Sequence, residues 1–112
     1  MKRVEAVIRE EQLPQVRAAL EDVGYPGITI MAVRGHGRQR GVKQQWRGRE
    51  YTVDLLPKVK LELIVDDAHA AKIAEAIAEN ARTGAVGDGK IWISAIESVM
   101  RVRTGETGDV AI

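Results

Sequence analysis

The chain has no cysteine and no phenylalanine among its 112 residues, and only two tryptophans and two tyrosines. Without cysteine there are no disulfides, iron–sulfur clusters, thiolate zinc sites or cysteine nucleophiles, which suits a reducing compartment. Without phenylalanine the core must be aliphatic. Long hydrophobic runs are missing too: nothing approaches the roughly 20 apolar residues that span a bilayer. MKRVEAVIRE mixes acids and bases within its first ten residues, unlike a signal peptide. These absences predict a soluble, cytoplasmic protein. One further absence is local. No acid occurs between Asp22 and Glu50, whereas Arg34, Arg38, Arg40, Lys43, Arg47 and Arg49 all fall in that interval. A net charge of +1 argues against a generic polyanion binder. The concentrated positive segment reads either as a solvated basic loop or as a contact surface.

What is present fits a single domain over residues 1–112, 45% hydrophobic, with a thin core that self-association would supplement. RVEAVIR alternates as a first strand, with Val4, Ala6 and Ile8 on one face. EEQLPQVRAALEDVG changes to helical spacing through Leu13, Val16, Leu20 and Val23, with Pro14 in the first turn and Gly24 at the end. GITIMAVR is a second strand. LPKVKLELIVDD is a third, with Val59, Leu61, Leu63 and Val65 alternating with Lys58, Lys60, Glu62 and Ile64. DDAHAAKIAEAIAENARTG is an alanine-rich helix with an Asp cap, anchored by Ile73 and Ile77 and closed at Gly84. KIWISAIESVMRVR reads as a final strand region. The order β-α-β-β-α-β predicts an α+β, ferredoxin-like fold: a four-stranded antiparallel sheet with both helices on one face. Val7 and Ile64 fall on the other face, so the uncovered side is a candidate oligomer interface. Residues 37–55 exceed a hairpin loop of about 2–5 residues several-fold. This polar excursion is expected to be mobile when free.

TGAVGDGK (83–90) fits G-x-x-x-x-G-K through Gly84, Gly89 and Lys90. Ile91 stands where a P-loop needs Ser or Thr, and a strand follows instead of a helix, so this is not a Walker A motif. Glycines still let successive N–H groups converge on an anion, and Lys90 adds a full charge. The alternative is a glycine-rich turn after the helix. RVR sets Arg101 and Arg103 two residues apart, which on an extended strand puts both guanidinium groups on one side. With Lys90 they make three cations for a di- or triphosphate. Charge-assisted hydrogen bonds of roughly 1.5–3 kcal/mol each would supply much of a micromolar affinity. The bland reading is a ladder of solvated arginines.

VRGHGRQRG (33–41), RGREYTVDLLPKVKLEL (47–63), RTGAVGDGKIWI (82–93) and RVRTGE (101–106) make the chain resemble the PII signal-transduction family, the nitrogen regulatory proteins, essentially end to end. The resemblance implies a homotrimeric, non-enzymatic sensor that binds ATP or ADP competitively in clefts between subunits. The implied nucleotide residues are Thr29, Gly35, Gly37, Arg38, Gln39, Ile64, Gly87, Asp88, Gly89 and Lys90, with Arg101 and Arg103 from the neighbouring subunit in the C-terminal segment 101–112. It also implies 2-oxoglutarate, bound with Mg2+ and ATP by Gln39, Arg40, Gly41, Lys58, Gly87 and Arg9, with Gln39 as the protein's metal ligand. Residues 37–55 become the recognition loop, on which Trp46, Arg47 and Tyr51 would meet targets and Tyr51 is a candidate for nucleotidylylation by a nucleotidylyltransferase. Implied partners include ammonium transporters, which would bring the protein to the inner face of the membrane, an arginine-pathway kinase and nitrogen-assimilation regulators. There are departures from the pattern. Arg49 replaces a serine that cyanobacterial members phosphorylate, His36 replaces an aromatic, and Ala85 stands where charged residues are frequent. His69, early in a helix, reads as solvated.

Two other classes compete. A nucleotide-hydrolysing enzyme would need a general base and a nucleophile, and no such constellation is evident. A ferredoxin-like RNA binder would stack bases on sheet aromatics, and the sequence has no such pattern.

Overall fold

Val4, Ala6 and Ile8 are at most 1% exposed on one face of strand β1 (Lys2–Arg9), as the alternation predicts. In an antiparallel pair, opposite residues share a face. The pairs Val4↔Leu63, Ala6↔Leu61 and Ile8↔Val59 therefore carry the apolar stripe onto β5 (Leu56–Val65). Strands β2 (Thr29–Gly35) and β6 (Gly89–Ala95) flank them, giving the order β2-β5-β1-β6. The computed structural model describes residues 1–25, 27–36 and 55–112 in full, and residues 42–46 and 49–53 by their backbone.

Two helices cover the apolar face. Helix α1 (Leu13–Asp22) follows a 3-10 turn at Glu10–Gln12 and buries Val16 and Leu20. It ends where Gly24 takes φ +89°, with Tyr25 N–H bonded to the Leu20 carbonyl at 2.8 Å and Gly24 N–H to that of Glu21 at 3.0 Å, a Schellman closure. Helix α2 (Ala70–Ala81) buries Ile73 and Ile77, the anchors expected from the sequence. Asp66 Oδ1 accepts the His69 N–H at 3.0 Å, so the aspartate cap acts one turn ahead of the helix. The same carboxylate pairs with His69 Nδ1 at 2.6 Å, so this half-exposed histidine is partnered as well as solvated. The architecture is the expected α+β, ferredoxin-like one.

Helix α2 ends at Ala81 with Arg82 already extended, so Gly84 does not close it as the sequence suggests; two expectations about strands also need correction. The last strand stops at Ala95 instead of running to Arg103. Its partner β1 begins at Lys2, which pairs with Ala95, and the last backbone bond between the two segments is from Ile96 N–H to the Met1 carbonyl. Residues 100–107 instead form a turn closed by a Met100↔Thr107 bridge, with Gly105 N–H bonded to the Arg101 carbonyl at 2.8 Å. Arg101 and Arg103 are thus not neighbours on an extended strand. The polar excursion, in turn, carries a second two-stranded sheet, β3 (Val42–Trp46) and β4 (Arg49–Val53), paired from Val42↔Val53 to Trp46↔Arg49. Its Val, Thr, Tyr and Trp residues have strand propensity, and an antiparallel ribbon satisfies backbone groups without a core.

The open face of the sheet mixes charge with apolar residues. By register it carries Arg3, Glu5, Val7, Lys60, Glu62, Ile64, Met31 and Trp92. Glu5, at its centre, is only 4% exposed although no helix covers it. Lys60 Nζ lies 2.9 Å from its Oε2, and Trp92 Nε1 donates to its Oε1 at 3.0 Å. Arg3 Nε is 2.8 Å away but is not aligned for a hydrogen bond. Together, chiefly through Lys60, these groups hold the Glu5 carboxyl below its ordinary range. A cation–π contact of 5.7 Å sets Lys60 over the Trp92 ring.

Candidate ligand cleft

The loop joining α2 to β6 and the ends of β1, β2 and β5 enclose an open cleft of about 520 Å³. Val7, Gly35, Lys58 and Trp92 line it from the sheet, His36 from just past β2, and residues 85–90 from the loop and the start of β6. Lys58 is the cation set deepest: 9% exposed, its Nζ donates to the Gly87 carbonyl at 2.7 Å. Burial, and secondarily the Arg9 charge, push its pKa down. A lysine so placed gains from any anion that restores its lost solvation. Gly35 admits this side chain closely, since a Cβ there would sit 3.4 Å from Lys58 Cγ.

The loop owes its shape to three positive-φ glycines and one aspartate. Gly84, Gly87 and Gly89 have φ of +91°, +102° and +112°. At Gly89 a Cβ would lie 1.8 Å from the Val7 carbonyl oxygen, so only glycine lets β6 begin against β1. Asp88 Oδ2 accepts the Thr83 and Gly84 N–H groups at 2.8 and 2.9 Å. Its Oδ1 accepts the Thr83 hydroxyl and Arg9 Nε, the latter at 3.0 Å. Arg9 Nη2 also donates to the Val86 carbonyl at 2.7 Å. The Thr83 hydroxyl first, then these other donors, hold the Asp88 carboxyl far below the usual carboxylate range.

Of the residues singled out from the sequence, the fold brings together Gly35, Lys58, Gly87, Asp88, Gly89 and Lys90, with His36 beside them. Arg9 reaches the same loop through Asp88 and Val86. Thr29 and Ile64 are elsewhere. They sit on the open face opposite Glu62 and Arg3, and Ile64 pairs four residues along β1 from Val7, about 13 Å away at strand rise. Arg101 pairs with Glu106 at 3.3 Å and donates to the Ile112 carbonyl at 3.3 Å. Neither Arg101 nor Arg103 lines the cleft of its own chain. Gly37, Arg38, Gln39, Arg40, Gly41 and Arg47 lie outside the described residues, as do the side chains of Trp46 and Tyr51. Trp92 was not evident as a cleft residue from sequence. Its only signal is a large aromatic on the charged face of a strand two residues beyond Lys90.

The cleft thus offers two lysines and a glycine loop, donors suited to oxyanions. The described residues hold no cluster of three His, Cys, Asp or Glu that would bind a metal. None of their helices is long and apolar enough to cross a membrane.

The profile of the family described as Nitrogen regulatory protein P-II matches residues 1–106. The chain is 50% identical to the nitrogen regulatory protein P-II of Rhizobium meliloti over 112 residues, covering all of both chains. It is 49% identical to that of Rhodospirillum rubrum, again over the full length of both. Identity to nitrogen regulatory protein P-II 2 of Methanothermobacter thermautotrophicus is 48%, over all of this chain and 97% of that one. With its ferredoxin-like sheet and glycine loop in the matched region, the chain belongs to the P-II family of nitrogen regulatory proteins, which are signal transducers and not enzymes.

Proposed function

We propose that the chain is a nitrogen, carbon and energy sensor that binds ATP or ADP competitively at the 82–90 loop. In this reading 2-oxoglutarate joins only with Mg-ATP. The observation that carries it is the convergence of Lys58, Lys90 and the glycine loop on one cleft with Gly35 and His36, the last described residues before the arm. Gly87, Gly89 and Lys90 would hold the phosphates. Lys58 would exchange the Gly87 carbonyl for a ligand carboxylate, helped by Arg9, Arg40 and Gly41. Gln39 would complete the magnesium shell, in which the ion supplies charge neutralisation between phosphate and oxo-acid. Thr29, Ile64, Arg101 and Arg103 would come from a neighbouring protomer of a homotrimer. Val102, 98% exposed between the two arginines, is the kind of apolar residue that a neighbour covers.

Ligand charge at its root would then select the conformation of the 37–55 arm, which docks through Trp46, Arg47 and Tyr51 onto targets such as an ammonium transporter. Tyr51 is its candidate nucleotidylylation site. Titration calorimetry tests the reading: 2-oxoglutarate heat should appear only with Mg-ATP, and Lys58→Ala should abolish it while sparing ATP. Oxo-acid binding that ignores Mg-ATP would refute it.

A further inference from the structure

We propose that Asp88 is the positioning residue of the candidate phosphate loop: its carboxylate fixes residues 83–88 so that the Gly87 and Asp88 N–H groups are presented to an incoming phosphate. The inference rests on the nucleotide reading above and deepens it. Carboxylate oxygens offer about four acceptor positions, and four donors already occupy those of Asp88: Thr83 N–H, Gly84 N–H, the Thr83 hydroxyl and Arg9 Nε. No acceptor capacity is left over for a metal or a ligand hydroxyl. Two cations fasten the loop from the sheet side, Arg9 on the Val86 carbonyl and Lys58 on the Gly87 carbonyl, each at 2.7 Å. Across a trans peptide the N–H points opposite to the C=O. Turning those two carbonyls toward Arg9 and Lys58 therefore turns the N–H groups of Gly87 and Asp88 away from them. Neither N–H has a hydrogen-bond acceptor among the described residues. Two adjacent unpaired amides in a glycine-rich turn form an anion-binding concavity.

Electrostatics and positioning give opposite signs for one substitution. Asp88→Asn removes a negative charge close to the candidate phosphate position, which by Coulomb's law alone should tighten nucleotide binding. It also replaces one acceptor oxygen by N–H₂, which then faces either Arg9 and the Thr83 hydroxyl or the Thr83 and Gly84 N–H groups, and in both cases should loosen the loop and weaken binding. Calorimetric titration of ATP and of ADP, each with and without Mg2+, separates the two for wild type, Asp88→Asn and Thr83→Val. Positioning predicts that Asp88→Asn weakens all four titrations by a common factor of about ten or more, the worth of one charge-assisted amide contact. Thr83→Val, which removes one of the four donors, should weaken them in the same direction by less.

Melting curves ensure that each variant is titrated while folded; if Asp88→Asn does not fold, Thr83→Val decides. Unchanged or tighter binding in the deciding variant overturns the inference. So does a loss confined to the Mg2+ titrations, which would mark Asp88 as a direct metal contact. A wild type that binds neither nucleotide defeats the sensor reading itself; a wild type that binds beside an undiminished Asp88→Asn defeats only the positioning role.

Discussion

Gly89→Ala tests how tightly the glycine loop is built into the fold. Two effects act at that position. A non-glycine residue at φ +112° occupies a sparsely populated region, a cost of about 1–3 kcal/mol. The added Cβ would also lie 1.8 Å from the Val7 carbonyl oxygen and 2.8 Å from its carbon, backbone atoms that cannot swing aside. Relief requires β6 to move off β1 near the Ile8↔Gly89 pair, losing a ladder hydrogen bond of about 1 kcal/mol and some packing, roughly 1–3 kcal/mol. The sum is about 3–7 kcal/mol, a large part of the 5–15 kcal/mol that typically stabilises a domain.

Gly84→Ala is the control. Its φ is also positive, +91°, but nothing lies within 4 Å of the added atom, so about 1–2 kcal/mol is expected. Urea unfolding followed by far-UV circular dichroism, at one protein concentration because self-association shifts midpoints, should separate them. With a urea dependence of about 1.5 kcal/mol/M, Gly89→Ala should lower the midpoint by about 2–5 M and Gly84→Ala by about 1 M. Equal shifts would refute the argument that contact with Val7, more than backbone conformation, reserves position 89 for glycine.

Glu5→Gln should destabilise by about 1–2 kcal/mol, because it uncouples Lys60 from a 4% exposed partner while both cations keep partial access to water; no loss in the same urea assay would mean that the cluster is ornamental. The acid limb has a definite sign. Asp88, Asp66 and Glu5 all have carboxyls lowered in the fold, chiefly by the Thr83 hydroxyl, His69 and Lys60 respectively. Their contribution is complete above the ordinary carboxylate range near 4 and is lost as pH falls through the lowered values. The urea midpoint should therefore hold between about pH 7 and 5 and fall below 4, with a shallower fall in Asp88→Asn; an unchanged slope in that variant would count against the sign argument.

The core was legible because side-chain period maps directly onto faces. Val4, Ala6 and Ile8 alternate, Val16 and Leu20 recur at helical spacing, and all are buried where the pattern puts them. The end of the last strand was not legible. SAIESVMRVR keeps apolar residues to Arg103, but a strand persists only while it has a neighbour, and β1 ends at Lys2 opposite Ala95. The ribbon of β3 and β4 was missed for a related reason: its stability comes from cross-strand pairing, and its polar sequence has little of the burial alternation that marks a sheet on a core. The burial of Glu5 was equally illegible. Its place opposite the core face predicts exposure, yet Lys60 and Trp92, 55 and 87 residues away in the chain, close over it.

The sequence alone determined the order of the four main-sheet strands and the two helices, the helix-covered face and, through its glycine and lysine motifs, the resemblance to one family. Tertiary structure decided which side chains share the cleft, since Arg9 and Asp88 are 79 residues apart and Lys58 and Gly87 are 29 apart. It also decided what each does there: the aspartate folds the loop, and two cations hold its carbonyls. The reason is that period and propensity act over a few residues along one strand or helix, whereas a donor finds its acceptor only after antiparallel register has set the ends of β1, β5 and β6 side by side.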